Sequence, residues 1–240
     1  MTIHLIRDLE KLHRNVLSMC SVVESLIVDA VECLITRGQR TAADEVISRD
    51  EVVNRADVQI ENECLKILAL HQPVATDLRR ITAVLKITGE LERVADLGVN
   101  IAERAQGLRN FPDFAVPGDL KEMAHRSLDM LHRSIDSYIE LDATAARKVC
   151  ADDDAVDALN AELISRIREM MQQDPQTVEP ALHVFSATRH IERVADHATN
   201  ISEDVVYMVD GEIIRHGGPH TNPIAQNDDS LKPSADKLNT

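Results

Sequence analysis

The residues best suited to chemistry in this sequence are carboxylates and amides that recur along one face of two predicted helices. The peptide E-R-V-A-D-x-x-x-N-I-x-E begins at Glu92 and recurs from Glu192, with eight identities in a twelve-residue window. On a helical wheel of about 100° per residue, Asp96, Asn100 and Glu103 all lie within about 80° of Glu92. The repeated peptide therefore predicts one oxygen-rich stripe on each helix, at the border of the apolar face.

A second group of oxygen-bearing side chains lies on the helix that precedes each stripe. Its members stand at i, i+4 and i+7, so they share one face of that helix. If the two helices of each half pack antiparallel, each half brings about four or five carboxylates together. Carboxylates placed so close repel one another unless a cation or a proton compensates their charge. The group comprises Asp50, Asn54 and Asp57 in the first half and Asp153, Asp157 and Asn160 in the second.

The repeated positions offer oxygen ligands without Cys or His, which favours hard or borderline cations. Mg²⁺, Mn²⁺, Ca²⁺ and iron fit that donor set, and several carboxylates can bridge more than one ion. The competing interpretation is a pair of solvated helix faces neutralised by Arg93, Arg193 and Lys86. The residue types alone leave both interpretations open. The predicted metal ligands are Asp50, Glu92, Asp96, Asp153, Asp157, Glu192 and Asp196.

The histidines suggest a rival site of the di-iron type, which needs Glu-x-x-His on two helices. Glu10-x-x-His13 and Glu122-x-x-His125 have this spacing, but they are 112 residues apart, whereas the repeated segments are offset by 100 to 103. The two halves do not place them equivalently, so we interpret them as surface residues. On the sixth predicted helix we expect exposed polar side chains, not ligands, at His183, His190 and His197.

Six long segments with helical periodicity must position these side chains. The aliphatic composition, with no Trp, two Tyr, three Phe and eight Gly, favours helix over strand. Long helices with short connections pack as antiparallel neighbours, so each half should be a three-helix bundle. We expect Thr41 to cap the second helix, and Pro73 and Pro175 to open the third and sixth. The predicted helices are 3–36, 41–70, 73–108, 119–141, 142–172 and 175–209.

The predicted fold class is all-α, a tandem repeat of two three-helix bundles made of six long antiparallel helices. Residues 110–118 contain Pro112 and Pro117 and form the strongest internal break. We therefore place the first bundle at residues 1–110 and the second at residues 117–212. Residues 213–240, rich in Gly, Pro, Asn, Asp and Ser, are predicted to be a disordered tail.

Composition also restricts the class of partner. A formal charge of −15 argues against non-specific nucleic-acid binding, which needs basic groups in place of phosphate counterions.

There is no nucleotide-binding glycine loop or nucleophile elbow, so nothing points to an enzyme. With no secretory signal and no apolar run of about 18 residues, we expect a soluble cytoplasmic protein. Buried free thiols are expected at Cys20, Cys33, Cys64 and Cys150, which lack C-x-x-C spacing.

The two bundles, the paired Glu-x-x-x-Asp helices and Gln72-Pro73 leading into Asp77-Leu78-Arg79 resemble the PhoU family over the whole chain except the tail. The resemblance implies a cytoplasmic negative regulator of the phosphate-starvation (Pho) response that acts in phosphate transport and homeostasis. It implies two partners, the ATPase of the Pst ABC transporter and the histidine kinase PhoR. It also implies a homodimer that reaches the membrane only through its partners.

The resemblance further implies multinuclear metal clusters on E(D)-x-x-x-D motifs, with Fe, Mn, Mg or Zn as the ions to consider. In the first half Asn54 replaces the second carboxylate of the motif that begins at Asp50, so this position carries less charge. The alternative function is a carboxylate-bundle metal-binding protein, either a metal store or a metal-dependent enzyme. The motifs that match are Glu92 with Asp96, Glu192 with Asp196, and Asp153 with Asp157.

Overall fold

The protein is all-α in the computed structural model, which describes residues 3–36 and 40–214. Long helices account for most of these residues, and a short 3₁₀ turn at Pro175–Thr177 leads into the last of them. The fold class predicted from composition and periodicity is confirmed. The helices are α1 (Ile3–Thr36), α2 (Arg40–His71), α3 (Ala75–Leu108), α4 (Asp119–Glu140), α5 (Ala143–Gln173) and α6 (Val178–Asp210).

Several helix ends follow directly from the local sequence. Asp142 caps α5, because its carboxylate accepts hydrogen bonds from the backbone N–H groups two and three residues ahead, at 2.8 and 3.0 Å. α6 ends at Asp210, and the next residue, Gly211, has a φ of 76°, a left-handed conformation that glycine adopts without steric cost. In contrast, α2 begins at Arg40, one residue ahead of the Thr41 expected to cap it. The prediction of Thr41 as the N-cap was therefore wrong.

The α2–α3 connection also corrects the prediction for Pro73. Gln72 and Ala75 have φ values of 44° and 48°, so the chain turns sharply around Pro73 and α3 begins two residues after it. Left-handed backbone is unfavourable for residues with a Cβ, and the surrounding helices must stabilise this turn. Pro175 opens the 3₁₀ turn, and α6 begins three residues later than expected, at Val178.

The helices of each half pack antiparallel. In the first half, Asp8 near the start of α1 lies 3.0 Å from His71 at the end of α2. Further along α1, Asp29 accepts a hydrogen bond at 2.6 Å from Arg49 near the start of α2. In the second half two ion pairs show the same opposed directions of α4 and α5. They are Asp119–Arg166 and Arg133–Asp152.

The two bundles share one core because α3 packs directly against α6. α3 also contacts α1 and α2, and α6 also contacts α4 and α5. This central pair is antiparallel: Lys86 Nζ lies 3.2 Å from Asp204 Oδ1, whereas Gly107 near the end of α3 packs against the His183 ring. Buried, half-buried and exposed positions occur in the same order in residues 91–100 and 191–200. The sequence repeat is therefore also a repeat in packing.

The core is aliphatic, and the cysteines are part of it. Cys20, Cys33 and Cys64 are buried, as predicted, while Cys150 is half-buried; all four are free thiols. Burial raises the pKa of Cys20 and of Cys64 to about 12. These two side chains therefore stay protonated at neutral pH and act as small apolar groups.

The connections at the ends of the bundles are partly packed. The segment between α3 and α4 buries Phe114 against the core, and after α6 Ile214 also packs against it. The predicted disordered tail began at residue 213. Its residues 215–240 lie outside the part of the chain that the structure describes.

Candidate functional site

The first acidic cluster lies between α2 and α3, where the antiparallel packing brings Asp50 near Asp96 and Asp57 near Glu92. Asn54 Nδ2 donates a hydrogen bond to Asp50 Oδ2 at 2.8 Å, whereas Asp50 Oδ1 is buried without a hydrogen-bond partner. Asp50, Asp57 and Glu92 are half-buried and Asp96 is exposed. The two stripes predicted for the first half therefore do face each other.

Crowding raises the pKa of two carboxyl groups in the first cluster. For Asp50, burial is the largest cause of the raised pKa and the charge of Asp96 adds to it. For Glu92, burial again comes first, followed by Asp96, and the nearby Arg93 only partly opposes the rise in pKa. A raised pKa means that the surroundings do not fully stabilise the charged carboxylate. The cluster would therefore gain from an additional positive charge.

The second acidic cluster occupies the equivalent place between α5 and α6. Asn160 Nδ2 donates to Glu192 Oε1 at 3.3 Å, and the Thr199 hydroxyl donates to Asp153 Oδ1 at 3.2 Å. Arg189 Nη1 lies 2.9 Å from the same Glu192 oxygen. The Asn160 side chain is only 5% exposed, and its Oδ1 is buried without a partner, as is Glu192 Oε2.

The carboxyl groups of the second cluster are perturbed in the same direction. Burial raises the pKa of Asp153 and of Glu192, and in both cases the charge of Asp196 raises it further. The pKa of Asp196 is itself raised, by desolvation first and by Asp157 next. Each cluster thus holds four carboxylates that repel one another, within the number expected from the sequence.

The donor set of both clusters fits a hard or borderline cation. Buried oxygens without a partner are costly in a protein and are natural ligands for such ions. The amide orientation of Asn160 supports this, because its NH₂ must face the Glu192 carboxylate and its oxygen is then left without a donor. In residues 3–36 and 40–214, no three His, Cys, Asp or Glu side chains are placed so that they could hold a metal ion together. A cation would therefore be held only after some carboxylates change rotamer.

This duplicated arrangement has a counterpart among known families. A sequence model described as the PhoU domain matches the chain twice, over residues 16–105 and 120–205. The chain belongs to the PhoU family. Both matched segments lie inside the two bundles placed at residues 1–110 and 117–212.

Relatives of this PhoU-family chain match it over most of its length. The phosphate-specific transport system accessory protein PhoU homolog of Aquifex aeolicus is 36% identical over 212 residues, which is 88% of this chain and 96% of the relative. The protein of the same description from Deinococcus radiodurans is 34% identical and covers 85% of this chain and 95% of its own length. These relatives are named accessory proteins, not enzymes.

Solved structures give the same result. The crystal structure of PhoU from Pseudomonas aeruginosa aligns with a TM-score of 0.82 and 31% identity, covering 85% of this chain and 98% of that one. The phosphate transport system regulatory protein PhoU from Streptococcus pneumoniae aligns with a TM-score of 0.81 and 25% identity, covering 87% and 98%. The arrangement of six helices is therefore that of the PhoU family.

One of the cations expected to neutralise the stripes in this PhoU-family chain lies elsewhere. Lys86 pairs with Asp204 across the α3–α6 contact and lies 5.2 Å from the centre of the Tyr207 ring. Arg93 and Arg193 remain close enough to oppose the rise in the pKa of Glu92 and of Asp196, respectively. These arginines thus offset part of the charge of each stripe, whereas Asp50 Oδ1 and Glu192 Oε2 are buried without a hydrogen-bond partner.

His197 corrects the prediction of an exposed polar residue. It is 8% exposed, and its Nδ1 lies 2.6 Å from Glu90 Oε2, which also accepts a hydrogen bond from Asn200 at 3.1 Å. The contact buries His197 between the two repeats. His183 and His190 are half-buried, and burial lowers the pKa of both imidazoles.

The Glu-x-x-His pairs of the rival di-iron interpretation do not meet in either acidic cluster. His13 packs against Tyr138 with ring centroids 5.9 Å apart, and its Nδ1 is buried without a hydrogen-bond partner. His125 lines a groove of about 320 Å³ between α4 and α5, together with Arg126 and Asp129. His13 on α1 therefore packs against α4 of the other bundle, which corrects its interpretation as a surface residue.

Three residues that shape the clusters or their surroundings were not predicted from the sequence. Arg189 stands three residues before Glu192, a spacing at which helix side chains meet, so this pair was detectable. Thr199 lies on the same border of α6 as Asp196. Glu90 lies outside both stripes, and only the α3–α6 contact explains its importance.

No helix in the described part of the chain is both long enough and apolar enough to cross a membrane.

Proposed function

We propose that this protein regulates phosphate uptake and phosphate homeostasis as a negative regulator of the phosphate-starvation response. The observation that carries the proposal is PhoU-family membership over both repeats, together with relatives named as accessory proteins of the phosphate-specific transport system. By the same relationship, we assign it two partners, the ATPase of the Pst transporter and the sensor kinase PhoR. We place it in the cytoplasm as a homodimer that reaches the membrane only through these partners.

We also propose that each acidic cluster binds a divalent or iron-type cation, with Fe, Mn, Mg and Zn as the ions to test. The ligands are Asp50, Glu92 and Asp96 in the first cluster and Asp153, Asp157, Glu192 and Asp196 in the second. Support comes from the raised pKa values and from buried oxygens that lack donors. A bound cation supplies positive charge and crosslinks two helices of one bundle.

The chain's own contribution to such a site is to hold two helices in register. The α2–α3 and α5–α6 pairs keep acidic faces opposed through an aliphatic core, so the protein, and not the ion, creates the crowding. Binding of a cation then stiffens that pair of helices. α3 and α6 also form the contact between the halves, so each cluster lies on one helix of that contact.

The regulatory proposal is tested by deleting the gene and measuring alkaline phosphatase in phosphate-replete cells. We expect phosphatase activity to rise in the deletion strain and to return to the repressed level with the wild-type gene. Phosphatase that stays repressed in the deletion strain contradicts the regulatory proposal. Complementation with the double variant Asp96→Asn, Asp196→Asn then tests whether the cation contributes to signalling. Full repression by this variant contradicts such a role. Glu61→Gln, an exposed substitution on α2, is the control.

A further inference from the structure

The two acidic clusters differ at a position that is occupied by arginine in one repeat and glycine in the other. Arg189 stands three residues before Glu192 and contacts its carboxylate at 2.9 Å. At the repeat offset of 100, the equivalent residue before Glu92 is Gly89. A Cβ built at Gly89 meets no heavy atom within 4 Å, so a side chain can begin there without a steric clash. The first cluster therefore lacks a positively charged side chain at this position because its sequence has glycine there.

The two clusters also differ in the side chains that donate hydrogen bonds to their carboxylates. In the second cluster, the Thr199 hydroxyl donates to Asp153 and the Asn160 amide donates to Glu192. The repeat equivalent of Thr199 is Val99, which has no donor in its side chain, and the equivalent of Asn160 is the carboxylate Asp57. In the first cluster Asn54 is the side chain that donates to Asp50.

The number of carboxylates is nevertheless equal. The first cluster contains Asp50, Asp57, Glu92 and Asp96, and the second contains Asp153, Asp157, Glu192 and Asp196. Among the described side chains, the four carboxylates of the first cluster therefore face fewer hydrogen-bond donors and one fewer adjacent cation than those of the second.

We infer that the two clusters are unequal cation sites, in which Arg189 is a built-in counter-cation that weakens binding at the α5–α6 cluster and leaves the α2–α3 cluster the tighter site. This inference rests on the proposed binding of cations to these clusters. Asn160, which is 5% exposed and has an oxygen without a donor, marks the second cluster as a ligand site as well. The second cluster is thus a weaker site, not an absent one.

The physical basis is competition for one carboxylate. A divalent ion at Glu192 must share that side chain with a guanidinium or displace it, and the two cations repel each other. The Arg189 side chain is 48% exposed, so solvent screens this repulsion, whereas the Glu192 side chain is only 12% exposed. We expect Arg189 to weaken the cation affinity of the second cluster about tenfold, which corresponds to about 1.4 kcal/mol.

The test is calorimetric titration of the chelator-treated full-length protein with Mn²⁺ at pH 7.5, in two backgrounds that isolate the clusters. Asp50→Asn with Asp96→Asn disables the first cluster, and Asp153→Asn with Asp196→Asn disables the second. Arg189→Gln in the first of these backgrounds should tighten Mn²⁺ binding about tenfold. Gly89→Arg in the other background should weaken it by a similar factor, while Gly89→Gln, which also gains helix propensity but no charge, should not.

Unchanged dissociation constants for Arg189→Gln and Gly89→Arg overturn the inference while leaving cation binding in place. Tighter binding at the second cluster than at the first also overturns it. If neither background binds Mn²⁺, both this inference and the proposed cation binding fail, and the phosphatase assay still decides the regulatory role separately. Circular dichroism and thermal unfolding of each variant without metal establish that a changed affinity does not come from a loss of structure.

Discussion

His197 and Glu90 form a hydrogen-bonded pair, 2.6 Å apart, across the contact between α3 and α6. Asn200 donates to the same carboxylate oxygen at 3.1 Å. The repeat does not reproduce this arrangement, because the residues equivalent to His197 and Glu90 are Leu97 and His190. The polar contact therefore exists on one side of the repeat only. It joins the two bundles at the centre of the molecule, next to the acidic clusters but outside them.

The first prediction concerns Glu90→Gln, which removes the charge from this contact. Burial disfavours the charged form of Glu90, but the hydrogen bonds from His197 and Asn200 outweigh burial and lower the pKa of Glu90. A charge-assisted hydrogen bond of this kind contributes about 1.5–3 kcal/mol. We expect Glu90→Gln to lower the free energy of unfolding by about that amount at pH 7, measured by urea denaturation.

The same variant has a defined pH dependence. Because the pKa of Glu90 is lower in the folded protein than its ordinary value of 4.5, its contribution is present above that pH and is lost as the pH falls through the lowered pKa. The difference in unfolding free energy between wild type and Glu90→Gln should shrink accordingly in acid. Glu61→Gln, an exposed substitution on α2, should change stability by less than about 0.5 kcal/mol at either pH. A difference that grows in acid would contradict the assignment.

The second prediction compares two glycines within α3. A Cβ at Gly98 would collide with Leu26, which is fully buried on α1, whereas a Cβ at Gly89 meets open space. Gly98→Ala should therefore destabilise the protein by about 1–3 kcal/mol through overpacking. Gly89→Ala should stabilise it by up to about 1 kcal/mol through helix propensity. Urea denaturation measures whether each variant gains or loses free energy of unfolding. Equal effects of the two substitutions would show that α1 does not approach α3 so closely at Gly98.

Much of the fold and of the clusters was predictable because both depend on periodicity within one helix. The stripes of Asp50 and Asp57 and of Glu92 and Asp96 face each other because antiparallel packing follows from long helices with short connections. The duplication was visible as matching residues at offsets of 100 to 103. These features require no knowledge of how one bundle sits on the other.

The features that were not predicted depend on contacts between the repeats or on backbone geometry. On the helical wheel of α6, His197 lies on the polar side, yet the packing of α3 against α6 buries it. The sequence predicted Lys86 as a partner of the acidic stripe, but the same packing places its side chain in an ion pair with Asp204. Pro73 precedes α3 because Gln72 and Ala75 take left-handed conformations that their residue types do not signal.

The third prediction is that cations stabilise the protein in a pH-dependent manner. Asp50, Glu92, Asp153, Glu192 and Asp196 have raised pKa values, so protons compete with cations for their oxygens as the pH falls. At pH 7.5, Mn²⁺ at about 100 times the dissociation constant of one cluster should add about 2.7 kcal/mol through that cluster. For a chain of this length this corresponds to a rise in Tm of about 5–10 °C.

The rise in Tm caused by Mn²⁺ should decrease as the pH falls from 7.5 towards the raised pKa values of these carboxyl groups, when measured by differential scanning calorimetry. The matched control is the variant with Asp50, Asp96, Asp153 and Asp196 all replaced by Asn. In this variant the Mn²⁺ effect should be small at each pH. An equal rise in Tm in wild type and variant would place the cation outside the acidic clusters.

The last prediction is that Asp96→Asn has opposite effects with and without metal. The charge of Asp96 raises the pKa of Asp50 and of Glu92, so its removal relieves repulsion in the metal-free protein. Because Asp96 is exposed and solvent screens its charge, the gain in unfolding free energy should be only about 0.5 kcal/mol at pH 7.5.

With saturating Mn²⁺, the same variant should be less stable than wild type, because the first cluster has lost a ligand. Glu61→Gln should show neither effect, and both are measured by thermal unfolding with chelator or with Mn²⁺. If Asp96→Asn destabilises the metal-free protein instead, Asp96 stabilises the fold by itself. The crowded carboxylates would then be in balance without a cation, and the main physical reason for expecting one in the first cluster would be lost.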